Sequence, residues 1–223
     1  MKNTKRLLAL ILAIVIALSV PMLCYAQGRI KAAVEEDTAK GISLEKVADI
    51  YLIFTTANPK IPHLWIYIVS KTDKTLTVGH YRLPAGESVS IGAWKDRGNG
   101  PGIHYNLERY WVKEETYGRA IAIKGSINET ELKLITATIN SHNYWNWVFN
   151  CVWFATSVWN KANLRIVPFL CSPRIACAFM LLYGGRRPDF TIEKLYNPNK
   201  VYKHTDDGLQ VVYRSALWTS TGV

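Results

Sequence analysis

The sequence predicts an α+β domain, an antiparallel β-meander packed against two or three helices, and three observations carry that reading. Runs rich in β-branched and aromatic residues fill the first half of the chain. The apolar spacing turns helical in the second half. Two asparagines, Asn128 and Asn150, stand where they would cap helices.

In chain order, the first element is a leader. Lys2, Lys5 and Arg6 precede an unbroken apolar run from Leu7 to Val20, Pro21 ends the run, and Cys24-Tyr25-Ala26 offers a small-residue cleavage site. This is the three-part layout of a secretory signal peptide over residues 1–26, which predicts a secreted or cell-envelope protein. The apolar stretch approaches the roughly 20 residues that span a bilayer, so an uncut leader would make the chain a membrane-anchored one. Leu23 is too large to precede a lipid-modified cysteine at 24. Residues 27–43 read as a linker, turning helical near Ser43 to Tyr51, and residues 44–223 as one domain.

Within the domain, Pro62 to Ser70 is a strand that is apolar on both faces and therefore central. Lys71 to Lys74 is a turn, and Thr75 to Leu83 is expected to pair back on it as a hairpin. Ser88 to Trp94, His104 to Val112 and Arg119 to Lys124 supply further strands. Asn128 with Glu131 has capping-box spacing ahead of Leu132, Ile135 and Ile139, which share one helical face. Asn150 caps a helix from Cys151 to about Lys161, Ile175 to Leu182 reads as a third helix, and Leu209 to Arg214 is a late strand.

Charge and cysteines narrow the function. The chain has 27 Lys and Arg against 17 Asp and Glu, and the leader takes three of the basic residues, so the net charge of +10 becomes +7 on cleavage. Such a surplus favours an anionic envelope component over nucleic acid, which an exported protein does not meet. Cleavage also removes Cys24 and leaves Cys151, Cys171 and Cys177, an odd number in an oxidising compartment. A Cys171–Cys177 disulfide would leave Cys151 as the free thiol. No Cys/His pair has zinc-site spacing, and Gly98 to Gly102 lacks the lysine and helix of a phosphate-binding loop, so neither metal nor cofactor is expected.

Cys151 opens a helix, where unpaired N–H groups and the helix dipole favour thiolate over thiol. A base is then needed, and His63 on the rigid apolar strand is the candidate, with His80 as a third residue to orient it. The alternative is that Cys151, Phe154, Ala155 and Val158 form one buried stripe at i, i+3, i+4 and i+7. Trp145, Trp147, Trp153 and Trp159 gather around Cys151, either as core or as the lining of a cleft.

A strand bearing His63, a meander, and then Asn150-Cys151-Val-Trp-Phe-Ala-Thr156 opening a helix resemble the circularly permuted branch of the NlpC-like papain-fold superfamily, which includes lecithin retinol acyltransferase-like proteins. The resemblance covers roughly His63 to Asn160. It implies a permuted papain-like fold, Cys151 as nucleophile, His63 as base and a polar residue on the next strand, nearest to His80, as orienter. The implied activity is a bacterial cysteine peptidase or amidase, or an acyl hydrolase, with a cell-wall peptide as the expected partner. The competing expectation is a non-catalytic envelope protein that binds glycan or lipid through its tryptophan-rich face.

Overall fold

The computed structural model describes Ala32, Glu35, Glu36 and residues 45–212, apart from 59–60, 96–98, 112–119, 163–165, 169–171 and 189–191. The expected signal peptide and Cys171 lie outside the described residues. The architecture is α+β: a mostly antiparallel sheet with helices packed on it.

The sheet begins earlier than the sequence suggests. The stretch expected to turn helical is strand β1, Lys46–Asn58. Ala48, Ile50, Leu52 and Phe54 fill one face, while Tyr51 and Ile53 fill the other. A strand buried on both sides loses the polar alternation that announces an amphipathic strand, which is why its period is hidden in the sequence. β2, Ile61–Ser70, pairs with β1 from Ala48↔Ser70 to Thr55↔His63.

The expected hairpin partner of β2 goes elsewhere. Thr75 to Leu83 folds on itself as β3, Leu76–Val78, and β4, Tyr81–Leu83, a separate two-stranded sheet. Gly79 makes the turn at φ 60°, where a Cβ would overlap the Tyr105 hydroxyl. The second neighbour of β2 is instead β5, Ser88–Trp94, in register from Ile66↔Ile91 to Val69↔Ser88. β6, Gly102–Tyr105, pairs with β5 from Ile91↔Tyr105 to Trp94↔Gly102.

The strand expected over His104 to Val112 stops at Tyr105. Asn106 adopts φ 63°, and the chain turns into helix α1, Leu107–Trp111. Asparagine is among the few side chains that tolerate this left-handed conformation. After β7, Ile121–Asn128, which pairs with β1, the Asn128 cap forms as the sequence predicts. Its side chain accepts from Glu131 N at 2.9 Å and Glu131 Oε2 accepts from Asn128 N at 2.8 Å, opening α2, Glu129–Asn140. α3, Cys151–Asn160, and α4, Pro173–Leu182, follow. β8, Tyr202–Thr205, which the sequence reading missed, and β9, Gly208–Val211, close the sheet in the order β7-β1-β2-β5-β6-β8-β9.

α3 packs on β1, β2 and β5. Val152, Phe154, Val158 and Trp159 are each at most 2% exposed. At about 1.5–3 kcal/mol per buried large apolar side chain, these four anchor the helix firmly against the sheet. No helix among the described residues is long and apolar enough to cross a membrane.

Candidate active site

Cys151 is the first residue of α3. Asn150 caps the helix, accepting from Val152 N at 2.9 Å and Trp153 N at 3.4 Å. Phe154, Ala155 and Val158 of the apolar stripe are buried, whereas Cys151, one turn ahead of them, stays partly exposed. Its sulfur lies beside β2, where it takes a hydrogen bond from the Leu64 amide and one from Val152 N. Leu64 lies beyond the last β2–β5 pair, Ile66↔Ile91, so the helix terminus meets the sheet beyond that paired stretch.

His63 is 5% exposed and hydrogen-bonds Cys151. Its Nε2 is 3.2 Å from Glu108 Oε1. Burial alone would lower the imidazole pKa. The hydrogen bonds His63 donates to Cys151 and Glu108, and the charges of these two groups, outweigh it and push His63 up to about 9. Burial would likewise raise the Cys151 thiol, but His63 and the two backbone N–H groups bring it below its ordinary value. The two shifts run in opposite directions, and each favours the thiolate–imidazolium form of the pair.

Glu108 is the residue the sequence reading did not find. It is 4% exposed on α1, yet all its contacts face inward: Oε2 accepts from Ser90 Oγ at 2.9 Å, and Oε1 accepts from Trp94 Nε1 at 2.8 Å as well as meeting His63. Trp94 also lays its ring over the His63 imidazole, with centroids 3.9 Å apart. Gly92 makes room for the arrangement, since a Cβ there would overlap Glu108 Oε1 and come within 2.9 Å of His63 Nε2. The available sequence signal was an acidic residue inside the apolar and aromatic stretch Tyr105 to Trp111; reading that stretch as a strand concealed it.

His80 is not brought to His63. Its ring stacks on His204 at 4.5 Å with 13° between planes, and its amide donates to the Tyr105 hydroxyl at 3.3 Å. The place beside His63 that a third residue would take is held by Glu108.

No family model, curated protein or solved structure matches the chain.

The tryptophans divide between the two alternatives. Trp159 is core at 2% exposure, Trp153 packs against Phe149 and His142 at 4.6 and 4.3 Å, and Trp147 is 82% exposed. Cys177 is a free thiol whose pKa burial raises. Among the described residues, no cluster of three or more His, Cys, Asp or Glu is arranged to hold a metal ion.

Proposed function

We propose that this protein is a cysteine hydrolase of permuted papain-like design, in which Cys151 attacks an amide or ester carbonyl. The observation that carries the reading is that buried His63 stands between the Cys151 thiol, whose interaction raises its pKa, and the buried Glu108 carboxylate, 3.2 Å from its Nε2. A buried carboxylate held by Ser90 and Trp94 is a fixed post for an imidazole, which is what a general base needs in order to keep one orientation through a reaction.

The Cys151 thiolate adds to the carbonyl carbon, and the electron pair of the C=O moves onto oxygen. The amide of Cys151, at the first turn of α3, has no acceptor among the described residues and can donate to that oxyanion. His63, carrying the proton taken from the thiol, gives it to the leaving amine or alcohol as the C–N or C–O bond breaks. Water, deprotonated by His63, then hydrolyses the acyl-enzyme and restores the pair. A cell-wall peptide is the favoured substrate class, on the exported and basic character that the sequence predicts, and a peptidase or amidase the favoured activity.

Iodoacetamide labelling of Cys151 between pH 5 and 10 tests the pair. The wild-type rate should stay high well below the ordinary thiol pKa, and His63→Ala should lose that low-pH reactivity by about tenfold or more. A wild-type thiol that labels only at the pH of a free cysteine would sink the proposal.

A further inference from the structure

The loop between α2 and α3 exposes an apolar tip immediately before the nucleophile. Trp147 is 82% exposed and Val148 54%, with Tyr144 at 45% beside them. The backbone of this tip is tied down from within. Asn146 Oδ1 accepts from Val148 N at 2.9 Å and Phe149 N at 2.7 Å, Asn146 N donates to Phe149 O at 3.0 Å, and Asn150 Nδ2 donates to Trp147 O at 3.2 Å. Exposed Lys95 places its Nζ 5.8 Å from the ring centroid of Trp145 and 5.1 Å from that of Trp147, and no carboxylate pairs with it among the described residues.

Two kinds of partner use exposed tryptophan, and they ask opposite things of the backbone. A sugar needs outward polar groups around the ring to hold its hydroxyls. A lipid interface needs those groups already satisfied, because the acyl layer offers no water to replace them, with a cation at headgroup depth. This tip binds three of its own amides and two of its carbonyls internally, and Lys95 beside it pairs with no carboxylate among the described residues, so it fits the second.

We propose that Trp147 and Val148 insert into the interfacial layer of an anionic lipid surface while Lys95 meets the headgroups. The chain's net charge, +10 in full and +7 without the leader residues Lys2, Lys5 and Arg6, complements such a surface. Lys95 directly follows Trp94, whose ring covers His63, and Cys151 lies one turn beyond Val148. Docking therefore holds the reactive pair at the membrane face, a consequence that rests on the hydrolase reading; the docking itself does not.

Full-length protein is mixed with vesicles of phosphatidylcholine and phosphatidylserine whose acyl chains carry bromine, and Trp147 emission is isolated as the difference between wild type and Trp147→Phe. Most of that difference should be quenched by the brominated lipid. Lys95→Gln should weaken partitioning onto anionic vesicles about fivefold and leave neutral vesicles unaffected. Protein that sediments with vesicles while Trp147 stays unquenched overturns the proposal, because another segment is then the anchor. Failure to bind vesicles at all overturns it too, as does a Trp147 response to soluble glycan chains without lipid quenching. Near-ultraviolet circular dichroism checks the fold of both surface variants. Repeating the assay with Cys151→Ser keeps loss of docking distinct from loss of catalysis.

Discussion

Gly92→Ala is the smallest change that should disconnect the site. Its added methyl group would occupy the position of Glu108 Oε1 and sit 2.9 Å from both Glu108 Cδ and His63 Nε2. Glu108 has nowhere to yield cheaply, since it is 4% exposed and fixed by Ser90 and Trp94. The His63–Glu108 bond should therefore break. A hydrogen bond to a charged group contributes about 1.5–3 kcal/mol, and about 1.4 kcal/mol corresponds to one pH unit of proton affinity. Losing it should move the alkaline limb of Cys151 reactivity, set by His63 at about 9, down by about one to two pH units. The assay is the pH profile of iodoacetamide labelling, with a quantitative thiol count and a thermal melt to confirm the fold. Glu108→Gln should shift the limb in the same direction without the steric intrusion. If both variants fold and keep the wild-type limb, Glu108 does not govern the imidazole and the three-residue line is wrong.

Trp94→Phe retains a ring over His63 but removes the Nε1–H donated to Glu108, so thermal unfolding should show a loss of about 1.5–3 kcal/mol with Cys151 labelling less affected than in Glu108→Gln. Asp49 accepts from Lys124 at 2.8 Å, Lys71 at 3.0 Å and Ser126 at 2.6 Å; these partners overcome burial, which would raise its pKa, and hold it below the ordinary carboxylate value. A depressed carboxylate stabilises the fold above its unfolded pKa and loses that contribution as pH falls, so chemical denaturation should find Asp49→Asn destabilised near neutral pH and close to wild type in strong acid. Burial lowers His104 and His204 to about 4 from an ordinary value of 6.5. The unfolded chain then binds more protons between those limits, and melting temperature should fall as pH drops from about 6.5 to about 4; replacing His204 with Gln should flatten that slope.

Much of the site is written locally. Asn150 ahead of Cys151 specifies a capped helix start, and the stripe Phe154, Ala155, Val158 specifies which face is buried, because capping and helical spacing involve only neighbours in the chain. His63 on a strand apolar on both faces is legible for the same reason. Asn128 with Glu131 is a third case, where both bonds of the capping box lie within four residues.

What the sequence could not supply is who stands opposite whom. Glu108 reaches His63 from 45 positions away because β5 lies between β2 and β6 and because Asn106 turns the chain at positive φ, so that α1 packs against β5. His80 is nearer in sequence, but the turn at Gly79 sends it to His204 instead. β1 is a strand because β7 and β2 bracket it, and burial on both faces removes the alternation that would have announced it. Local propensity and spacing thus determined the capped helix that opens at Cys151 and the strand that carries His63, while strand order, a long-range pairing choice, decided which carboxylate stands beside His63.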